Sequence, residues 1–410
     1  MNNTRDRQAE LQAQYDSFLS AGLKLDLTRG KPAAEQLDLA NALDGILEGF
    51  FLLQDGTDVR NYGGLRGIPE ARRLGGDLLG VPFDNVMVAG NSSLNLMYLY
   101  VNHLLPLWQQ DSEDVAFLCP VPGYDRHFTV CQHFGIRMIP VPLTGAGPDM
   151  DVVENLVREN PDIRGIWCVP KYANPTGETY SDEVVQRMAA LPGLAGSNFQ
   201  VFWDNAYLVH DLEEETVPLA NIHAAAERQG TTDGIVMLAS TSKITFAGAG
   251  IAFLATSTDR LTQFERFLSD QMIGWDKVNQ LRHVRFLRDN EGIAAHMAKH
   301  RAIIRPKFDL VQNKLEASLG GKNIATWTRP RGGYFVSLDT RPGLASRVIE
   351  MAGAAGVKLT PAGATFPYGR DPEDRNIRIA PTYPSIDELD RAMDVFVTCV
   401  ELATLNSETG

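Results

Sequence analysis

Short apolar runs alternating with helix-like stretches constrain this chain more than any other feature. Residues 85–90 (NVMVAG), 115–119 (VAFLC), 137–141, 165–169 (GIWCV), 200–203 (QVFW), 235–239 (IVMLA) and 251–255 (IAFLA) each read as a strand. Between them, 92–105, 151–160 and 181–191 carry apolar residues at helical spacing. Strands that are apolar on both faces must be covered on both faces, and strands separated by helices pair in parallel. The pattern therefore predicts an α/β fold with a mostly parallel sheet between helical layers. Ligand sites in such sheets gather beyond the carboxyl ends of the strands. Five polar segments fall there: 91–93, 120–124, 171–177, Asp204 and 240–243, with Asp125 and Arg126 in the turn after the second.

The texture changes after the last of these strands. Residues 259–316 are rich in Leu, Arg, Phe and Lys at helical spacing, which predicts a long helix joining two domains. Segments 325–338 (ATWTRPRGGYFVSL), 357–359 and 377–379 predict a small sheet with helices. The expected division is a large domain at 46–290 and a smaller α/β domain made of 1–45 and 291–410. A chain of 410 residues can bury a core of that size without staples.

A formal net charge of −13 argues against a nucleic-acid partner, which needs a basic face. It leaves small anionic substrates open, because a few cations can reverse the field inside one cleft. Cys119, Cys131, Cys168 and Cys399 form no CxxC pair and read as reduced thiols in a cytoplasmic protein. The opening MNNTRDRQAELQAQYDSF lacks the apolar centre of a signal peptide, and no stretch approaches the ~18 apolar residues of a membrane span.

The polar segments suit one chemistry. Pyridoxal phosphate needs a lysine for its aldehyde, a carboxylate for its ring nitrogen, donors for its phosphate and often an arginine for the substrate carboxylate. Lys243, in STSKITFAGAG, follows a strand beside Ser240 and Ser242; a surface lysine would have the same spacing. Asp204, in QVFWDNAY, ends an apolar strand, where a carboxylate is costly unless paired; a helix N-cap reads the same way. Tyr207 lies three residues on, in reach of the cofactor's phenolic oxygen. Asn174, in NPTG, sits in a turn that presents its amide to that oxygen or is simply a turn. Asn91, Ser92 and Ser93 open a helix and either cradle phosphate or cap the helix. Tyr124 is placed to stack on the ring or to fill the core. Arg378, between isoleucines, needs a partner, either a substrate carboxylate or an internal acid.

In order, NYGGLRG, GNSSL, PGY, NPTG, DNAY, STSK and IRIA resemble the pyridoxal-phosphate-dependent aminotransferases of fold type I, the aspartate aminotransferase superfamily. LTRGKP, TSKITFAGAG and IRIAPTYP look most like its bacterial class Ic. The resemblance implies a Schiff-base and proton-shuttling role for Lys243, a ring-nitrogen partner in Asp204, and phenolic-oxygen contacts from Tyr207 and Asn174. It implies that Tyr124 stacks on the ring and that Ser92, Ser93, Ser240 and Ser242 face the phosphate. It also implies that Arg378 holds the α-carboxylate with Gly30 nearby, and that Tyr62 reaches the neighbouring subunit's phosphate in a homodimer with shared sites. The implied activity moves the amino group of L-aspartate or a similar amino acid to a 2-oxo acid such as 2-oxoglutarate.

The family's phosphate-binding arginine, eight residues after the lysine, is here Ile251. No residue matches the distal-carboxylate arginine; Arg29, Lys31 and Arg331 are candidates, as is a group in the segment 273–283 (IGWDKVNQLRH) contributed by a partner subunit, where Asn279 and Gln280 lie. Other readings are an aminotransferase with another donor, a β-lyase, or a ligand-sensing regulator, which would need a DNA-binding module that the segment before Tyr62 hardly accommodates. Gly248 and Gly250 do not complete the glycine pattern of a dinucleotide binder. His296 and His300 would share a helix face but lack the acid of a metalloprotease motif, so they read as solvated or linker-helix residues and not as metal ligands.

Overall fold

The computed structural model of the protein describes residues 2–28 and 30–409. Its strands, in chain order, are β1 (Leu25–Asp26), β2 (Val86–Ala89), β3 (Ala116–Val121), β4 (Arg137–Pro142), β5 (Ile163–Cys168), β6 (Gln200–Asp204), β7 (Ile235–Ser240), β8 (Ala252–Ala255), β9 (Ala325–Trp327), β10 (Val336–Thr340), β11 (Val357–Lys358) and β12 (Asn376–Ile379). Seven of them form the large sheet in the order β2-β8-β7-β6-β5-β3-β4. β3 pairs in parallel with β4 and β5, and β5, β6 and β7 continue in parallel. β8 runs antiparallel to β2 and β7. The reason is chain length: residues 241–251 are too few for a helical crossover.

Every residue of β2, β5, β6 and β8 is buried, as expected where helices cover both faces. Alternate side chains feed two cores. Phe202, Trp167 and Phe117 pack with Met97 and Tyr100 of the helix Ser93–Asp111 on one face. Trp203, Ile166 and Leu118 pack with Val185 and Met188 of the helix Asp182–Leu194 on the other.

A further core joins the helix Asn2–Ser20, the three-stranded antiparallel sheet β12-β10-β9 and the C-terminal helix Ile386–Thr409. Leu11 and Tyr15 are buried there, with the Tyr15 hydroxyl donating to the Met351 carbonyl at 3.1 Å. β1 and β11 pair in parallel, which carries Thr28 to Thr360, whose hydroxyl donates to the Thr28 carbonyl. The single long helix expected over 259–316 is instead three: Thr258–Ser269, Lys277–Leu287 and Asn290–Leu319. Each begins at its own side-chain cap, Ser257, Asp276 and Asp289. Arg288, at φ 65°, breaks the last two apart. Likewise Asp125 and Arg126, expected in a turn, open the helix Asp125–His133.

Candidate active site

β6 delivers Asp204 to the carboxyl end of the sheet, buried. Its Oδ2 lies 3.2 Å from His127 Nε2, and its Oδ1 is buried with no hydrogen-bond partner. A buried carboxylate oxygen without a donor is costly, so this atom marks where a cationic or N–H group of a ligand would be welcome. His127 is held flat against Trp167, ring centroids 4.4 Å apart. β7 ends at Ser240, and the turn after it brings in Lys243, whose Nζ lies 4.9 Å from the Tyr207 ring centre. Burial lowers the Lys243 pKa while Asp204 pulls it back up. Burial pushes the Tyr124 hydroxyl up to about 12 and raises Tyr207 well above its ordinary range, so both are hydrogen donors at neutral pH.

These groups meet in a cavity of about 190 Å³ lined by Ser92, Ser93, Tyr124, Asn174, Asp204, Tyr207, Ser240, Ser242 and Lys243. Ser92 caps the helix Ser93–Asp111, accepting from the Asn95 N–H at 3.3 Å. The Ser242 hydroxyl donates to the Asn91 carbonyl at 2.6 Å, and Asn91 Nδ2 donates to the Gly248 carbonyl at 3.1 Å. The helix N-terminus, the serines and the 241–250 loop are thus tied together at one end of the cavity. Ile251, in the arginine's place, is buried in the core, and its N–H donates to Thr241 Oγ1 at 2.9 Å. Among the described lining residues, Lys243 is the one basic side chain of this cavity.

A second cavity of about 380 Å³ shares Tyr124, Asn174, Tyr207 and Lys243 with the first and adds Gly30 and Arg378. Arg378 reaches in from β12. Its Nη1 donates to Asp125 Oδ1 at 3.0 Å and Asn174 Oδ1 at 3.2 Å, and its Nη2 to Thr360 Oγ1 at 3.3 Å. Its Nε is buried without a partner, and the guanidinium lies 4.9 Å above the Phe335 ring. Lys31 and Arg126 line the same cavity.

Other sequence candidates lie elsewhere. Asn91 stitches the loops without lining either cavity. Tyr62 is 84% exposed and outside both, with its carbonyl accepting from Lys277. Arg331 is paired with Glu213, Asn279 donates to the carbonyls of Ala249 and Gly250, and Gln280 is buried between Ile68 and Val88. Arg29 lies outside the described residues. His296 and His300, expected to be solvated or in a linker helix, lie buried on the long helix Asn290–Leu319: their Nε2 atoms lie 2.7 and 2.9 Å from the Ile244 carbonyl, directly after Lys243. Gln36 Nε2 donates to His300 Nδ1 at 3.0 Å. Helical periodicity could not reveal this, because the partner carbonyl comes from a distant loop.

Sequence reasoning also missed His127, Asp125, Phe335 and Thr360. His127 had one available signal: it stands three residues after Tyr124, on the same face of a helix opening at the sheet's carboxyl edge.

The family described as aspartate amino-transferase matches residues 1–410. An aspartate aminotransferase of Corynebacterium glutamicum is 46% identical over 405 residues, covering 96% of this chain and 93% of that one. The crystal structure of an aspartate transaminase from the same species superposes with a TM-score of 0.95 at 44% identity, covering 99% of this chain and 97% of the other. The α-aminoadipate aminotransferase LysN of Thermus thermophilus, at 22% identity and 98% coverage of both chains, shares the fold with a TM-score of 0.76. The fold, with its large parallel-rich sheet and smaller second sheet, and the full-length match together place this chain in the aspartate amino-transferase family, as an aminotransferase of fold type I.

Proposed function

We propose that the protein transfers the amino group of L-aspartate to 2-oxoglutarate with pyridoxal phosphate as cofactor. One observation carries the cofactor reading: a buried Asp204 oxygen with no partner lines the same cavity as the amine of Lys243. Pyridoxal phosphate supplies an aldehyde for an amine and a ring that accepts the electron pair left when the α-proton departs. Asp204 would hold a proton on the ring nitrogen, oriented by His127. Burial favours the neutral amine of Lys243, which suits it both to attach the cofactor and to take the proton from the substrate's α-carbon. Tyr207 and Asn174 would face the phenolic oxygen, and Tyr124 the ring. Ser92, Ser93, Ser240 and Ser242 would bind the phosphate by neutral donors and the helix N-terminus. Arg378 would grip the α-carboxylate above Gly30 and Phe335. Lys31 and Arg126, lining the larger cavity, support a substrate with a second carboxylate. Donor and acceptor share these groups, so they would bind in turn.

The same reading extends to a cytoplasmic homodimer with shared sites. Phe50, Leu52, Tyr62 and Ile273 are exposed, and Gly274 packs on Gly63, so Tyr62 and Ile273 lie close together on the surface. All four cysteines are unpaired, in keeping with a reducing compartment. The two cores of the large sheet draw on 46–290 and the core of the second sheet mainly on 1–45 and 291–410, which supports that division, with Val169, Tyr172, Ala173, Tyr207 and Leu212 reaching across into the latter.

An absorption spectrum tests the activity. The protein reconstituted with pyridoxal phosphate should show a visible band that collapses with L-aspartate and returns with 2-oxoglutarate, and Lys243→Ala should abolish turnover. A band indifferent to aspartate would move the donor to another amino acid. No uptake of the cofactor, or near-normal turnover in Lys243→Ala, would sink the proposal.

A further inference from the structure

Arg378 already has an acid. We infer that Asp125 competes with the substrate's α-carboxylate for Arg378, so that every binding event must displace this internal ion pair. The inference rests on the reading that Arg378 receives that carboxylate.

A carboxylate binds a guanidinium best through two parallel N–H bonds along one edge. In Arg378 the edge formed by Nε and Nη2 is closed because Nε is buried, and on the remaining edge Nη1 is shared between Asp125 Oδ1 at 3.0 Å and the neutral Asn174 Oδ1 at 3.2 Å. Nη2 has a neutral partner in Thr360, and Nε has none. Among the described residues Asp125 is therefore the one charged group bonded to this cation, and it lines the cavity a substrate would enter. An incoming carboxylate would meet its charge at short range inside a site where Arg378 itself is buried.

Asp125 is also free to yield. Its side chain is 31% exposed, whereas that of Arg378 is 6%. It stands at the first position of the helix Asp125–His133, where a negative charge is favoured without Arg378. A second cation is at hand, since Arg126 Nε lies 4.0 Å from Asp125 Oδ2. The acid can thus leave Arg378 for Arg126 and the helix end without being stranded. While it remains, it holds the guanidinium over Phe335, and it reduces the fraction of protein in which Arg378 is free to bind.

Unreactive dicarboxylates test this. The reconstituted holoenzyme would be titrated with maleate by calorimetry, alongside Asp125→Asn, Asp125→Ser and Arg378→Lys. Asp125→Asn and Asp125→Ser should bind maleate about three- to tenfold more tightly than the parent, with KM for aspartate falling in step. Unchanged or weaker maleate binding in both Asp125 variants, with binding lost in Arg378→Lys, would overturn the inference and leave the role of Arg378 standing. Full maleate affinity in Arg378→Lys would overturn the reading beneath it as well.

Discussion

Gly30 shows how little room the site leaves around a single residue. A Cβ built on it would lie 2.6 Å from Phe335 Cζ and 3.2 Å from Tyr334 Cβ. Phe335 is buried and carries the Arg378 guanidinium on its face, so it has nowhere to retreat without moving the arginine. Gly30→Ala should therefore raise KM for both substrates by roughly tenfold or more, since small misplacements of a carboxylate clamp are costly. The fold should survive, because the clash is confined to one edge of the cavity. Steady-state kinetics with each substrate varied would check it; an unchanged KM would mean that Phe335 does not position Arg378. Asp204 shows the reverse economy, with one oxygen oriented by His127 and the other held in reserve.

At the scale of elements, the turn after β7 is held from behind by parts of the chain far away in sequence. His296 and His300 come from the helix Asn290–Leu319, Gln36 from the N-terminal segment and Tyr334 from the approach to β10. Gln36 donates to His300 Nδ1, which assigns the ring hydrogen to Nε2 and lets it donate to the Ile244 carbonyl. Burial, with His296 adding to it, lowers the His300 pKa to about 4. The unfolded chain takes up this proton near pH ~6.5, and the folded one only near 4. The contribution to stability is thus full above the unfolded value and is lost as pH falls from there toward 4. His300→Gln keeps an amide donor and does not titrate, so its thermal midpoint should fall less steeply across that window. Parallel slopes in thermal melts of the two proteins would remove His300 from the account.

For the whole molecule, the proposed dimer makes a prediction that neither subunit can meet alone. Tyr62 is far too exposed to serve its own chain's cavity, so its proposed role needs a second copy. Light scattering should give twice 45.1 kDa. Mixing Lys243→Ala chains with Tyr62→Ala chains should yield more activity than the two separate preparations summed, because a mixed dimer has one intact site. A mass of 45.1 kDa, or no gain on mixing, would count against shared sites.

Much of this was already written in the chain, and for a physical reason. Strand and helix follow from periodicity, which is local: VAFLC, GIWCV, QVFW and IVMLA could hardly be anything but buried strands. The rule that sites lie beyond the carboxyl ends then placed Lys243, Asp204, Tyr207, Asn174, Ser92, Ser93, Ser240 and Ser242 at one edge, where they do line a common cavity. Tertiary structure decided whatever depends on a partner from elsewhere in the chain. No local pattern tells that His127 meets Asp204 across 77 residues or that Arg378 meets Asp125 across 253. The same holds for two histidines of a long helix that close on a loop carbonyl and not on solvent. Periodicity also ran three helices together, because caps at Asp276 and Asp289 interrupt the backbone without interrupting the apolar spacing. What one segment buries is set by its own sequence; what a buried polar group bonds to is set by the fold that surrounds it.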